Sequence, residues 1–307
     1  MSAIKVALAR RALSRLLKRL GPNVVIYSYW RLEAASAIAL LKAKGLLRHF
    51  FVRAHGGDIY SSTRYPFESL VHQHADAVFP VSESGHHFLV AVKGFPGTNI
   101  QVQRLGITIP TTLSARSNDQ VLRVVSCSNV IGLKRVHLIA RFLAALPRRV
   151  EWTHFGDGDQ MTQVLAEVNR FDHHHQAVMK GRVPNRTVLD FFRDNPIDLF
   201  INLSETEGVP VSIMEALSFG VPVIATDVGG TSEIIDPSCG VLVPSDCDYD
   251  LFSRAVGRLT AESTRDSFRH AARRQAERLC DAAVNYAATY KLMDEICDGA
   301  LGKEGRR

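Results

Sequence analysis

A chain of 307 residues is long enough for one large domain or two of ordinary size, each burying its own core. Its 46% apolar and 22% charged residues exclude a disordered or fibrous polypeptide, and no apolar run approaches the ~20 residues of a spanning helix. The formal net charge is +6, yet no zinc finger, RNA-binding aromatic signature or recognition-helix pattern accompanies it, so nucleic acid is not expected as a partner.

The first predicted element is a helix, "MSAIKVALARRALSRLLKRLG". Ile4, Leu8, Leu13, Leu16, Leu17 and Leu20 form a broad apolar stripe beside Lys5, Arg10, Arg11, Arg15, Lys18 and Arg19. Two readings stay open: attachment to an anionic membrane surface, or a domain helix with a solvated basic face. From residue 23 short β-rich runs alternate with helical segments, and four strands are predicted in this half: "NVVIYSYW", "HFFVRAHG", "DAVFPVS" and "NIQVQRLG". Strand and helix repeated in this way build parallel sheet with crossover helices. The polar stretch "ITIPTTLSARSNDQ" (107–120) interrupts the pattern and reads as an interdomain linker. The alternation then restarts through six more strands, from "VLRVVSCS" to "CGVLVP", and residues from about Tyr249 to Asp298 are helical. The expected division is an incomplete first Rossmann-like domain at 1–113, a linker at 114–120, a complete one at 121–278, and a helix and tail at 279–307 that returns to the first domain. Five cysteines without C-x-x-C pairing fit a reducing cytoplasm and are assigned no chemistry.

In open parallel sheets ligands bind beyond the carboxyl ends of strands, so the loops there are the places to look. "DLFINLS-ETEGVP-VSIMEALSFG" is strand, loop and helix, with Glu207 at the strand end and Glu215 in the first helical turns. Unpaired N–H groups at Gly208 and Val209 would favour phosphate, and each carboxylate can accept from two neighbouring sugar hydroxyls. The competing reading is helix chemistry alone, since Ser212-x-x-Glu215 is a capping-box pattern. Lys134 and Arg135 follow the first strand of the second half and could meet a diphosphate, although an isolated basic pair is more often a surface feature. Gly156 and Gly158 form another strand-to-helix turn that lacks a full dinucleotide fingerprint. Asp157 and Asp159, Asp246 and Asp248, and the triplet in "DHHHQ" (172–176) read as turn or loop residues, and no metal site is assigned. In "VRAHGGDIY", His55 follows a strand, Gly56 and Gly57 permit close backbone approach, and Asp58 could orient the imidazole.

Together these segments resemble the retaining glycosyltransferases of the GT-B fold, two Rossmann-like domains with a cleft between them, and within it glycosyltransferase family 4. The match is densest in Glu207-Gly208, Glu215-Ala216, Gly220 and Pro222-Val223-Ile224-Ala225-Thr226, with "GGTSEII" (229–235) and "KGRVPN" (180–185) around it. The resemblance implies that Glu207 contacts the donor sugar, Glu215 the ribose, Lys134 with Arg135 the diphosphate, and Gly181, Arg182 and Val183 the base. Gly156 would line the donor site, and His55, with Gly56 and Asp58 on the acceptor side, would lie beside the transferred sugar. Asn129 stands where the family usually places an arginine after Ser128, leaving the electrostatic work to Lys134. The first half lacks the strand and glycine-rich loop with which family members begin, so a shortened N-terminal domain is expected, from a misassigned start or gene decay.

The implied activity is metal-independent, retaining transfer of a hexose from a UDP- or GDP-sugar to a hydroxyl of a lipid-linked saccharide or surface polysaccharide. It would need no cofactor beyond the nucleotide sugar and would act in the cytoplasm or at the inner membrane face. An inactive, binding-only remnant and a sugar-nucleotide epimerase on the same fold are the alternatives.

Overall fold

Runs such as "HFFVRA", "LFIN" and "VIAT" carry apolar and β-branched residues without alternation, as strands covered on both faces require. The computed structural model describes residues 2–21, 23–60 and 67–299. Among them the chain divides into two units, 1–105 with 283–307 and 106–282. Of the expected tail, residues 279–282 fall in the second unit and 283–299 in the first, and 300–307 lie outside the described set.

The first unit opens with α1 (Ser2–Leu20), β1 (Val25–Ser28), α2 (Glu33–Lys42), β2 (His49–Ala54), a short α3 (Gly56–Ile59), α4 (Glu68–His74), β3 (Ala77–Pro80) and α5 (Glu83–His87). Its sheet is parallel, in the order β1-β2-β3. The predicted fourth strand does not form. Residues around Ile100 make one isolated bridge to Val78, with Gln101 and Gln103 donating to the carbonyls of Val78 and Pro80. One sheet face buries Phe50, Val52 and Val78 with Ile38 and Leu41 of α2, Val71 of α4 and Leu17 of α1.

The second unit runs β4 (Leu122–Cys127), α6 (Val136–Ala144), β5 (Val150–Phe155), α7 (Met161–Val168), β6 (His175–Met179), α8 (Asn185–Asp194), β7 (Leu199–Asn202), α9 (Val211–Ser218), β8 (Val223–Thr226), β9 (Gly240–Val243), α10 (Tyr249–Thr260) and α11 (Arg265–Leu279). All six strands are parallel, in the order β6-β5-β4-β7-β8-β9, so the sheet is doubly wound. Leu122, Trp152, Ile139, Leu143, Ile201 and Phe252 fill one face of this unit. On the other, Phe192 of α8 packs between Phe200 and Phe219, with ring centroids 6.2 and 5.4 Å away.

The stretch read as a linker is tied into this second unit. Ser114 and Ser117 are buried; the Ser114 amide donates to Phe219 O at 2.9 Å and Ser117 Oγ to Asp198 Oδ2 at 2.7 Å. Its polar residues are there because they meet buried backbone and carboxylate partners, which composition alone cannot distinguish from solvation. The last helix, α12 (Ala282–Cys297), covers the other face of the first unit's sheet, where Met293 meets Phe51 and Phe79.

Candidate active site

The strand order leaves β4 and β7 adjacent while the chain leaves them in opposite directions, so a crevice opens beyond their carboxyl ends. After β4 the chain makes one 3-10 turn, Gly132–Lys134, and Arg135 turns it into α6 with a left-handed backbone at φ 45°. This delivers the Lys134 ammonium to Glu207 Oε1 at 2.6 Å, across from the loop after β7. The same oxygen accepts from Ser204 Oγ at 2.6 Å and from Asn202 Nδ2 at 3.1 Å. Asn202 also accepts from the Ser204 amide, and Thr226 Oγ1 donates to Ser204 O, so the strand ends of β7 and β8 fix the carboxylate. Among the described residues no hydrogen bond reaches Glu207 Oε2, which leaves one face of the carboxylate for a ligand. The amides of Gly208 and Val209 likewise have no partner among the described residues.

Glu215 lies in the second turn of α9, beyond the position a capping box requires. The N-cap is Pro210, without a side-chain bond, and Ser212 is already inside the helix, so the capping reading fails on geometry. The Glu215 side chain is buried instead, and its Oε1 accepts one hydrogen bond, 2.8 Å from Asn185 Nδ2 at the start of α8. Burial pushes its pKa up and the Asn185 bond only partly offsets it. The Glu215 charge also acts, after burial itself, on Cys127 at the end of β4, whose thiol is pushed up to about 11.

Two further loops complete the crevice wall. Gly156, at φ 140°, donates its amide to Gly181 O at 2.9 Å, bringing the loops after β5 and β6 together. A Cβ at Gly156 would stand 1.8 Å from Ser128 O, and one at Gly229 1.8 Å from Glu207 O. Arg182 is exposed, and Val183 is half-buried just before α8. Arg135 is not turned toward Glu207: its Nε donates to Leu203 O at 2.7 Å and its Nη1 to Ser245 O at 2.6 Å, so it braces the loop after β7. Of the triplet at 173–175, His173 and His174 form a turn and His175 opens β6; Asp172 Oδ1 accepts from the His174 amide and from His175 Nδ1.

In the first unit His55 caps the short α3, its ring tilted against Trp30 and Tyr29 at centroid distances of 4.2 and 4.9 Å. Its Nε2 bonds Tyr29 O at 3.0 Å, and burial lowers its pKa to about 4, so the ring is neutral at physiological pH. Asp58 does not orient the imidazole. Its carboxylate accepts from the backbone amides of His55 and Arg31, both at 2.8 Å, and burial raises its pKa to about 6. Gly56 is the first residue of that turn.

The sequence singled out the two glutamates and Lys134 but not Asn202, Ser204 or Asn185, which hold them. Asn202 and Ser204 stood in the quoted strand end "FINLSETEG", where polar residues closing an apolar strand were the available signal.

Residues 122–262 match the family model described as glycosyl transferases group 1. A curated relative, the amylovoran biosynthesis glycosyltransferase AmsK of Erwinia amylovora, is 25% identical over 195 residues, covering 60% of this chain and 47% of its own. The putative colanic acid biosynthesis glycosyltransferase WcaL of Salmonella typhimurium is 25% identical over 236 residues, covering 72% and 58%. The chain thus spans about half the length of these relatives. Among solved structures, Anabaena Alr3699/HepE in complex with UDP superposes with a TM-score of 0.77 at 16% identity, over 92% of this chain and 81% of that one. The lipopolysaccharide outer core galactosyltransferase WaaB, in apo form, gives 0.75 at 18% identity, over 96% and 82%. These likenesses show that the fold is shared.

Proposed function

We propose, from the match of residues 122–262 to the glycosyl transferases group 1 family, that the chain moves a hexose from a nucleotide sugar to a saccharide hydroxyl with retention of configuration. The observation that carries this reading is the Lys134–Glu207 pair at the β4/β7 switch point, with buried Glu215 on the helix that follows. Glu207 holds Lys134 in place. When a donor binds, Lys134 and the free amides of Gly208 and Val209 would meet the diphosphate, and Glu207 would accept from sugar hydroxyls while Ser204 and Asn202 keep it oriented. Glu215 would take the ribose diol. Charge develops on the leaving phosphate, so an ammonium and fixed N–H donors there stabilise the transition state more than the ground state. No step in this reading calls on a metal: the departing phosphate oxygen takes the proton of the incoming hydroxyl on the same face. His55, neutral, would lie on the acceptor side as a hydrogen-bonding wall.

The donor is proposed to be a UDP-sugar, supported by the UDP complex of the HepE structure, and the acceptor a growing surface polysaccharide or its lipid-linked precursor, supported by what AmsK and WcaL are named for. Among the described residues no helix is long and apolar enough to cross a membrane. The outer face of α1 leaves Ile4, Leu8, Leu16 and Leu20 exposed among its basic residues, which supports peripheral attachment at an anionic membrane surface.

Thermal-shift titration with UDP, GDP and their hexose conjugates tests the donor assignment; a ligand at ~100 times its dissociation constant stabilises by about 2.7 kcal/mol. UDP should stabilise the wild type, and Lys134→Ala should lower transfer by roughly a hundredfold while the protein stays folded. Undiminished UDP affinity in Glu215→Ala would remove Glu215 from the ribose. Donor turnover with no acceptor present would point to an epimerase, and nucleotide binding without any sugar release to an inactive remnant.

A further inference from the structure

A second cavity, of about 170 Å³, lies wholly in the first unit, lined by Tyr27, Tyr29, Arg53, Tyr286, Thr289 and Tyr290. Arg53 sits on β2, 1% exposed, yet among the described residues it forms no ion pair with a carboxylate. Its Nε donates to Tyr27 Oη at 2.5 Å, while its two terminal nitrogens make only long contacts, Nη1 to Arg104 O at 3.4 Å and Nη2 to Thr289 Oγ1 at 3.3 Å. The rings of Tyr29 and Tyr286 face its cationic carbon at 5.9 and 5.4 Å. A buried guanidinium is costly unless its charge and donors are met, and here the fork that would grip an oxyanion is the part least engaged.

The volume sets the size of what could meet it. A cavity of roughly 150 Å³ holds one six-membered ring. Tyrosine faces suit the C–H face of a pyranose, and a guanidinium fork suits a carboxylate held bidentately. Tyr29 and Tyr290 are 46% and 57% exposed, so the cavity has an accessible mouth. Tyr29 also packs against the His55 ring, which ties the cavity to the side chain proposed above for the acceptor side.

We propose that this cavity is a subsite for a carboxylate-bearing sugar ring of the acceptor, its carboxylate paired with Arg53 and its ring against the tyrosines. The proposal rests on the glycosyltransferase reading and names the class of acceptor it would take: an acidic saccharide.

Titration of the full chain with glucuronate and glucose by saturation-transfer NMR, and with inorganic phosphate by 31P line broadening, tests it. Glucuronate should bind at least tenfold tighter than glucose, and Arg53→Met should abolish that preference. Because Arg53 is buried, the exposed Tyr290→Ala provides a variant expected to keep its melting midpoint; it should weaken glucuronate at least fivefold. Equal or undetectable binding of glucuronate and glucose overturns the proposal, as does phosphate binding without glucuronate binding, or an unchanged glucuronate affinity in Tyr290→Ala. UDP titrated into the same samples separates the two readings. Both variants should keep wild-type UDP affinity; a wild type that takes up UDP but not glucuronate refutes the subsite alone, and one that takes up glucuronate but not UDP refutes the donor reading alone.

Discussion

Glu215 places a carboxylate inside the second unit with, among the described residues, a single amide, Asn185, to receive it. Its raised pKa means that the folded chain holds this proton to a higher pH than the unfolded chain does. The stability it contributes is therefore full below the ordinary carboxyl range and is lost as pH rises through the raised value. Burial works against the charged form of the group, and a ligand that brings hydroxyl donors would offset that cost. Glu215→Gln should accordingly raise the melting midpoint at pH 7.5, by roughly 2–4 °C for each kcal/mol relieved, while weakening UDP tenfold or more. A variant that loses both stability and UDP affinity would mark Glu215 as a packing residue. This opposition of stability and binding is what a functional site predicts and what a helix cap does not.

At the scale of elements, the alternation of strands and helices was legible because parallel strands buried on both faces read as apolar runs, as β7 and β8 do, while β5 and β6 alternate in burial and read as strands by their period of two. The segment around Ile100 alternates apolar and polar residues as a strand would, but lies beyond β3 with one bridge, since strand character depends on a partner that sequence does not display. The site was legible in part for the same reason. Glu207 and Glu215 are fixed by local spacing, whereas Asn185 reaches Glu215 from another helix, a separation of 30 residues. Two glycines show how strictly the loops are built. Gly229, at φ 56°, lies against Glu207 O, so Gly229→Ala combines backbone strain with a 1.8 Å clash and must displace the loop that carries Glu207. Its UDP-dependent thermal shift should vanish and its own midpoint fall. Gly257, inside α10 with open space where a Cβ would stand, is the control: Gly257→Ala should stabilise by about 1 kcal/mol in denaturant titration and leave UDP affinity alone. Equal behaviour of the two variants would count against a tightly packed Glu207 loop.

For the whole molecule, buried His55, His72 and His154 make acid the sensitive direction. Burial lowers His55 and His154 to about 4, and burial together with Arg31, whose Nη1 lies 3.1 Å from the ring, lowers His72 to about 3. The unfolded chain binds these protons from about pH 6.5 downward and the folded one does not, so stability is lost as pH falls from that value toward the depressed ones. For a group moved from 6.5 to about 4, the loss reaches about 2 kcal/mol at pH 5. Asp58 acts with the opposite sign: raised to about 6, its carboxyl becomes less costly to bury as pH falls, and it partly compensates His55 and His72 in its own unit. His154 is in the second unit, where raised Glu215 gives a counter-effect of the same sign as Asp58. Three histidines outweigh two carboxyls, so urea titrations at pH 7.5 and 5.0 should show the unfolding midpoint drop at the lower pH with little change in slope. A midpoint that holds or rises at pH 5.0 would mean that the imidazoles take up protons in the folded chain. His55 would then be a cation at that pH, no longer the neutral wall proposed for the acceptor side.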